Sequence, residues 1–510
     1  MTPKAKIGSR DKMQADLVII GSGMGGATLA AALAPSGKRI LIVERGRKLP
    51  DSPEARDPSA IFARGHFRSE EMWLDEQGTE FSPGNFYYIG GNSKMYGAVL
   101  LRYRECDFSP VRHMGGMSAG WPIGYADLEP WYQAAENFYR VRGELGDDPT
   151  EPPHSGTYPF PAVPDEPEIA DFRSRLKGIG LNPSSLPLGI DLDRWLERAK
   201  TPWDGHPDIT GAKMDAESVG IAEALRYPNV TLLSGHLAKR LECGPDGRIV
   251  ALYAAGPDGM CRIEAPLFAM AAGAVNTAAL LLGSADEMHP SGLANGSDQL
   301  GRNFMNHNCS AVLAIHPFRR NHSIYQKTLM VNDFYTTGGP QGEPLGNIQL
   351  LGRVSGPILA AGSGLPRPLA GLIASRAIDL YAMSEDLPNP ESRIMVRDGQ
   401  IVLDWKRSNQ AAHEMLVSRL KSELRRAGFP IVLSKPFDRR TPSHQCGTAR
   451  MGHDPASSVV DSHGRCHDHP NLFVTDASVL PTSAAVNPAL TIAALSLRAA
   501  DHIRGKDWAP

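Results

Sequence analysis

The sequence predicts a mixed α/β fold in which a parallel-sheet domain is interleaved along the chain with an antiparallel-sheet domain. Strand and helix patterns alternate in the N-terminal part, reappear near residue 270 and return after residue 440. Between about residues 305 and 435, short separated strand patterns dominate instead. Alternating strands and helices are typical of parallel sheets, whereas successive short strands are typical of antiparallel ones.

The overall composition is that of an ordinary globular protein. The chain has 510 residues, of which 42% are hydrophobic and 21% are charged. Its net charge is −3 and it contains no long basic run, which argues against nucleic acid or a membrane surface as a partner. The six cysteines are scattered, unlike those of a small disulfide-linked secreted protein.

No targeting or membrane-spanning segment is evident. The first residues contain neither an apolar stretch nor a twin-arginine pair, so we expect a cytoplasmic location. The most apolar run, residues 266–285, is rich in alanine and glycine and is interrupted by Asn276 and Thr277. It predicts a strand followed by a buried helix rather than a membrane span.

Residues 16–46 form a strand–glycine–helix–strand pattern. Gly21, Gly23 and Gly26 follow a buried strand as G-x-G-x-x-G, an alanine-rich helix comes next, and Glu44 ends the second strand. In dinucleotide-binding proteins the first glycine makes the turn, the second admits the pyrophosphate, and the third packs the helix on the strand. An acidic residue after the second strand can bind a ribose hydroxyl. The alternative is an ordinary strand–helix turn, and the motif alone does not separate NAD from FAD.

The other segments suggest how the two domains are divided. A glycine-containing polar loop spans 87–104, proline-rich chain spans 148–188, and a hairpin turns at 245–247. Residues 305–435 predict an antiparallel sheet that includes the strands of 393–404, with helices only near its end. We therefore predict a discontinuous cofactor domain (13–150, 212–304 and 440–506) and a substrate domain (151–211 and 305–439).

A histidine-rich stretch near the C-terminus raises the question of a metal site. It contains five histidines and two cysteines: His444, Cys446, His453, His463, Cys466, His467 and His469. No C-x2-C or H-E-x-x-H spacing is present, so no metal is predicted. The Asp- and Gly-rich context of the last three histidines predicts a surface turn.

Several motifs, in order and over nearly the whole chain, resemble those of the glucose–methanol–choline (GMC) flavoprotein oxidoreductases. They are IIGSGMGGATLAAALA, GGNSKMYG, AAGAVNTAALLLGS, HQCGTARMG and NLFVTDASVLPTSAAVNPALTIAAL. The resemblance implies an FAD-binding α/β domain with an inserted antiparallel-sheet substrate domain. The FAD-binding residues that we predict are Gly21, Gly23, Gly26, Glu44, Gly91, Asn92, Ser93, Ala238, Gly273, Asp476, Ala477 and Pro488.

The same resemblance implies a catalytic pair, His444 and Asn487. His444 opens the H-x-x-G-T motif and would act as the general base in alcohol oxidation, while flavin N5 takes the hydride. Asn487 would hydrogen-bond the substrate oxygen. Asn487 also precedes Pro488, a pattern typical of a helix N-cap, so we expect it to serve both as cap and as catalytic residue.

The finer resemblance is to bacterial pyranose oxidases and glycoside 3-oxidases or 3-dehydrogenases. It implies a sugar or glycoside substrate, with oxygen or another electron acceptor. Met95 occupies the position where some family members link FAD through histidine, which implies non-covalent FAD. Gln349 on a predicted strand is a candidate to bind sugar hydroxyls, the alternative being a solvent-facing residue.

Three other functions stay open on the sequence. They are oxidation of a non-sugar alcohol, a lyase of the same family in which FAD is structural, and a non-catalytic flavin-binding protein.

Overall fold

The computed structural model describes residues 12–441 and 444–508. Residues 1–11, on which the prediction about targeting segments partly rests, lie outside this part of the chain. Ser443, which precedes His444, also lies outside it. None of the described helices is long and apolar enough to cross a membrane.

The strands are numbered in chain order. They are β1 Lys12–Gln14, β2 Leu17–Ile20, β3 Ile40–Glu44, β4 Trp73–Asp75, β5 Glu80–Phe81, β6 Arg112–His113, β7 Gly116–Met117, β8 Arg142–Gly143, β9 Phe160–Pro161, β10 Pro183–Ser185, β11 Val230–Ser234, β12 Leu237–Cys243, β13 Ile249–Gly256, β14 Gly259–Glu264, β15 Leu267–Met270, β16 Asn308–Ile315, β17 Leu329–Val331, β18 Asn347–Leu350, β19 Ala377–Ser384, β20 Arg393–Arg397, β21 Gln400–Asp404, β22 Ile431–Pro436 and β23 Leu472–Val474.

The α-helices are numbered in the same way. They are α1 Met24–Leu33, α2 Tyr125–Phe138, α3 Pro167–Gly178, α4 Leu192–Arg198, α5 Ala222–Ala224, α6 Ala274–Leu282, α7 Gly356–Ser363, α8 Arg367–Ala374, α9 Gln410–Arg426 and α10 Ala489–His502.

A five-stranded parallel sheet carries the glycine-rich segment. Its strand order is β11–β3–β2–β15–β23, and all four neighbouring pairs are parallel. Every residue of β2, β3, β15 and β23 is buried, as expected for strands covered on both faces. Because the strands are parallel, the loops after β2, β3, β15 and β23 meet at one edge, where ligands of such sheets bind.

A six-stranded antiparallel sheet is the second main sheet of the protein. Its order is β10–β17–β18–β19–β16–β22, with β16 paired along its whole length to β19. Helix α9 covers this sheet through Ala412, Leu416, Leu420 and Leu424, which share one helix face because they recur every four residues. The predicted fold class, a parallel α/β part with an antiparallel sheet interleaved in the chain, is confirmed.

Two predictions about the segment 305–435 were wrong. Strands β20 and β21 do not join the large antiparallel sheet, because β21 pairs with β4, in a separate sheet of order β20–β21–β4–β5. Helices α7 and α8 also lie in this segment, well before its end. Both begin at a proline-containing first turn, a position where proline suits a helix but obscures it in sequence.

Candidate active site

The glycine loop after β2 leaves open space at only one of its glycines. A Cβ on Gly21 would lie 2.3 Å from Ala271 O, one on Gly25 would lie 1.6 Å from Thr475 O, and one on Gly26 would lie 2.1 Å from Gly21 O. A Cβ on Gly23 would meet nothing within 4 Å. The packing of the protein therefore requires the other three glycines, whereas only a ligand would require Gly23.

Helix α1 begins directly after this open space. It has no side-chain cap and no acidic residue in its first turn. The first backbone N–H groups of a helix have no intrahelical partners, and here no side chain caps them, so they suit a phosphate anion.

Glu44 connects the end of β3 to two neighbouring loops. Its Oε2 accepts from Ser22 N (3.0 Å) and from Ser22 Oγ (2.6 Å), and its Oε1 accepts from Gly46 N (2.6 Å). Ser22 Oγ in turn accepts from Gly90 N (3.0 Å). The buried carboxylate is thus held rigidly, and Oε1 keeps a lone pair that can accept from a ribose hydroxyl.

The loop GGNSKMYG, residues 90–97, is held by its own polar side chains. Gly90 and Gly91 have φ values of 91° and 59°, which favour glycine. Asn92 Oδ1 accepts from Phe86 N (2.9 Å), while Ser93 Oγ donates to Gly90 O (2.6 Å) and accepts from Ala216 N (3.1 Å). These bonds keep the loop backbone against the same cavity as the glycine loop.

Asp476 joins the loop after β15 to the loop after β23. Its Oδ2 accepts from Gly273 N (2.9 Å) and Thr277 Oγ1 (2.6 Å), and its Oδ1 accepts from Ser478 N (2.8 Å). Burial raises the pKa of this carboxyl above its ordinary value, although the hydrogen bonds oppose the shift. Asp476 therefore positions the backbone at this end of the cavity.

His444 and Asn487 meet at the cavity wall. Asn487 Nδ2 donates to His444 Nε2 (3.2 Å), and Asn487 Oδ1 accepts from Gln349 Nε2 (2.7 Å). Burial, followed by repulsion from His307 whenever that ring is protonated and from the charge of Lys327, holds the pKa of His444 well below its ordinary value of 6.5. The imidazole is therefore neutral near pH 7, as a base must be before it accepts a proton.

The glycine loop after β2 and the pair His444 and Asn487 line one and the same cavity, which has a volume of about 1870 Å³. It is larger than the roughly 300–1,000 Å³ of a typical small-molecule site, and so has room for a dinucleotide together with a substrate. The predicted residues on its wall are Gly21, Gly23, Glu44, Gly91, Asn92, Ser93, Ala238, Gly273, His444, Asp476, Ala477, Asn487 and Pro488. The open space at Gly23, the free helix N-terminus and the carboxylate of Glu44 fit the pyrophosphate and ribose of FAD.

Gly26 packs against Gly21 behind the cavity, as expected of the third glycine, and does not itself line the wall. Two other predicted features are not where the sequence suggested. Gln349 is fully buried behind Asn487, so it neither faces solvent nor lines the wall. The side chain of Asn487 does not cap α10, whose N-cap residue is Pro488, without a side-chain cap. The amide is instead occupied by His444 and Gln349, so the capping prediction was wrong.

The surface-turn prediction was also wrong for His469. This residue is fully buried, and its Nδ1 donates to Gly247 O (2.7 Å) while its Nε2 accepts from Ala294 N (3.0 Å). Its ring lies near Cys243 and His289, with one potential ligand atom of each within 4.8 Å of the others. Because both ring nitrogens of His469 already have backbone partners, ordinary hydrogen bonds account for its position.

Sequence reasoning missed three polar residues near His444. Lys327 Nζ lies 2.7 Å from Asp204 Oδ2 at the cavity wall, and His307 Nδ1 lies 2.9 Å from His444 Nδ1. Burial alone would raise the pKa of Asp204, but the Lys327 ammonium, together with the Gly352 N–H and the charge of Lys213, lowers it. These residues stand apart from the recognised motifs in the chain, so the motifs did not point to them.

Comparisons with known proteins agree with this geometry. The family model described as GMC oxidoreductase matches residues 409–496, and the one described as NAD(P)-binding Rossmann-like domain matches residues 19–63. The 6'''-hydroxyparomomycin C oxidase of Streptomyces lividus is 30% identical over 95% of this chain and 90% of its own length. The fructose dehydrogenase large subunit of Gluconobacter japonicus is 27% identical over 97% and 98%.

A solved structure shows the same fold. Pyridoxine 4-oxidase from Mesorbium loti superposes with a TM-score of 0.66 at 22% identity, covering 96% of this chain and 99% of that one. The fold and site therefore define a flavin-dependent oxidoreductase. The chain belongs to the GMC oxidoreductase family, and it is an FAD-dependent enzyme that acts on CH–OH groups.

Proposed function

We propose that this enzyme oxidises a secondary ring hydroxyl of a sugar or glycoside to a ketone, with His444 as the general base. The observation that carries the proposal is the position of His444 on the cavity wall, where its Nε2 lies 3.2 Å from Asn487 Nδ2. The substrate O–H proton passes to His444 Nε2 as the carbonyl forms, and the C–H bond gives up its hydrogen with the electron pair. Bound FAD supplies the acceptor for that hydride at N5.

Asn487 and Gln349 position the base and the substrate. The Asn487 amide presents Nδ2 to His444 and, when substrate is bound, to the alcohol oxygen between them. Gln349 acts behind it, because its Nε2–H holds Asn487 Oδ1 and so prevents the amide from turning over. We thus replace direct binding of sugar by Gln349 with a positioning role.

The wall of the cavity near His444 suits a polyhydroxylated ligand. Lys327 and Asp204 line it as a charged pair, and a sugar hydroxyl both donates and accepts hydrogen bonds. Leu313 and Tyr381 from the antiparallel sheet line the same cavity and can contact the C–H faces of a pyranose ring. Relatives named as oxidases of 6'''-hydroxyparomomycin C and paromamine, and as fructose dehydrogenase, support a carbohydrate substrate.

The division of labour between domains follows the two main sheets. The cofactor domain comprises 13–150, 212–304 and 440–506, and the substrate domain comprises 151–211 and 305–439. In support, every strand of the parallel sheet falls in the first set and every strand of the six-stranded sheet falls in the second. Oxygen or another acceptor then removes the two electrons from the cofactor.

Anaerobic mixing of the holoenzyme with single substrates tests the proposed function. Glucose and methyl glucosides should bleach the flavin absorbance faster than methanol, choline or an aryl alcohol. A strong preference for a non-sugar alcohol would reject the substrate class. If no alcohol bleaches the flavin, the function is not oxidation, and a lyase or a flavin-binding role is favoured.

FAD should leave the protein when the chain is denatured. Met95 lines the cavity at the position that would carry a linking histidine, and its thioether has no N–H and no nucleophilic nitrogen to form such a link. Acid precipitation followed by absorbance of the supernatant and the pellet measures the partition of the flavin. Flavin that stays with the precipitated chain would contradict non-covalent binding.

Asn487→Asp should fold normally but reduce its flavin about 10²-fold more slowly near pH 7. The new carboxylate cannot donate to His444 Nε2, and it raises the pKa of the imidazole by stabilising the protonated form. A general base that is already protonated contributes nothing, and such bases typically contribute about 10²–10⁴-fold. Stopped-flow reduction and thermal unfolding measure the two effects.

Asn389→Asp is the matched control for that variant. Asn389 Oδ1 accepts from Glu391 N outside the cavity, and Asp can accept in the same way. This variant adds the same charge and should reduce its flavin at the parental rate. An Asn487→Asp protein that behaves like this control would remove Asn487 from the site.

A further inference from the structure

We propose that His307 is a positioning residue that sets the tautomer of His444, so that the base always presents a bare Nε2 to the cavity. The proposal rests on the proposed role of His444 as the general base. It concerns a residue that does not line the cavity and reaches it only through His444.

Two backbone carbonyls determine where His307 carries its proton. His307 Nε2 lies 2.8 Å from both Ser483 O and Ala484 O. Carbonyl oxygens only accept hydrogen bonds, so Nε2 must carry the hydrogen. His307 is buried, and burial lowers its pKa, although the hydrogen bonds to Ser483 O and Ala484 O, and to a lesser extent nearby Glu385, oppose the shift. The ring is therefore neutral, and its Nδ1 has a lone pair and no hydrogen.

The contact between the two rings then determines the tautomer of His444. His307 Nδ1 and His444 Nδ1 are 2.9 Å apart, and one of the two must donate. Because His307 Nδ1 can only accept, His444 Nδ1 carries the hydrogen. In a neutral imidazole the other nitrogen is then unprotonated, so His444 Nε2 is the basic atom.

The hydrogen bonds on the cavity side have the matching direction. A bare His444 Nε2 needs a donor, which Asn487 Nδ2 supplies at 3.2 Å. Asn487 Oδ1 must then face a donor, which is Gln349 Nε2 at 2.7 Å. Each residue therefore donates a hydrogen bond to the next in the same order: Gln349 to Asn487, and Asn487 to His444. His444 then donates to His307, and His307 donates to the two carbonyls.

His307 cannot itself carry the substrate proton away. Its Nε2–H is held by backbone oxygens, which cannot be protonated near neutral pH, so no onward path exists through them. A proton accepted at His444 Nε2 therefore leaves the two rings only on the cavity side. His307 contributes a neutral acceptor for His444 Nδ1–H before and after that transfer.

Two amide variants of His307 separate acceptance from packing. In His307→Asn, Oδ1 takes the place of Nδ1 and can accept from His444 Nδ1–H. In His307→Gln, the longer chain places its amide near the carbonyls and leaves no acceptor beside His444. We expect His307→Gln to slow flavin reduction about 10²-fold, because an imidazole in the wrong tautomer is a poor base, and His307→Asn to stay within about fivefold of the parent.

His413→Gln is the matched control. His413 is another buried histidine, held between Ser310 Oγ (2.8 Å) and Ser384 Oγ (3.1 Å) away from the cavity. His413→Gln also replaces a buried imidazole by an amide, as His307→Gln does, and it should leave the reduction rate unchanged. A rate loss in this control equal to that of His307→Gln would mean that the effect is structural, and would overturn the proposal.

The tautomer can be read without turnover from ¹⁵N shifts of histidine-labelled holoenzyme, assigned against the His444→Ala spectrum. His444 Nε2 should show the shift of an unprotonated nitrogen in the parent and in His307→Asn, and lose it in His307→Gln. A protonated Nε2 in the parent overturns the proposal even if no variant folds. If His444→Ala still reduces its flavin, the proposed base role fails, while the shifts still test His307 separately.

Discussion

His444→Ala slows reduction of the bound flavin by about 10²–10⁴-fold, the usual contribution of a general base. The variant keeps FAD, because the glycine loop, Glu44 and the 90–97 loop that fit the cofactor lie elsewhere on the wall. Stopped-flow reduction at saturating sugar, with flavin content measured in parallel, checks both statements. A near-parental rate would reject His444 as the base.

The backbone at His444 calls for a second variant. Its φ is 72°, in the left-handed region that Asn tolerates better than Ala. His444→Asn thus removes the imidazole with less backbone strain, and we expect the same loss of rate as for Ala. His453→Ala, at an exposed histidine of the same stretch, should reduce its flavin like the parent.

The pH dependence gives a further check on the same residue. Because the pKa of His444 is held below 6.5, the neutral base persists into mildly acidic solution. The rate of reduction should therefore be flat above pH 6.5 and fall only as pH drops through the lowered pKa. A limb due to His444 that lies above pH 6.5 would contradict the burial effect.

Gly23→Val should fold but bind FAD about 10²-fold more weakly or worse. Gly23 has φ −68° and ψ −173°, which any residue adopts, and a Cβ there meets nothing within 4 Å. The valine side chain would occupy the space at the helix N-terminus that we propose for the pyrophosphate. Losing two charge-assisted hydrogen bonds of about 1.5–3 kcal/mol each accounts for that factor. Fluorescence titration of the apoprotein with FAD measures the change.

Substitutions at two other glycines serve as controls for this result. Gly178 ends α3 at an exposed position with equal open space, so Gly178→Val should bind FAD like the parent. Gly25→Ala should fail to fold, because its Cβ would lie 1.6 Å from the backbone oxygen of Thr475. If Gly23→Val binds FAD as tightly as the parent, the pyrophosphate lies elsewhere.

The elements of the fold that could be predicted are those that a short run of neighbouring residues defines. The buried strands β2 and β15, the helices that follow them and the hairpin of β12 and β13 were all predicted from runs of hydrophobic residues and intervening glycines. The pairing of β21 with β4 was not, because the two strands are far apart in the chain and each pattern shows only that a strand exists. Helices α7 and α8 were missed because each has a proline in its first turn, and a proline in the sequence usually indicates a loop.

Within the candidate site, the sequence by itself determined the class of chemistry. A glycine loop, an acidic strand end and the motif around His444 occur in a fixed order, and the resemblance that they carry named the family, the cofactor and the predicted pair His444 and Asn487. These features are recognisable because each depends on residues that are close together in the chain.

Only the tertiary structure decided how the pair is arranged. It places Gln349 behind Asn487 rather than on the wall, removes Asn487 from the helix cap, and brings His307 against the far nitrogen of His444. The direction of those hydrogen bonds depends on the carbonyls of Ser483 and Ala484, which every sequence possesses. Their effect exists only where the fold points them at an imidazole, and a pattern of side chains cannot show that.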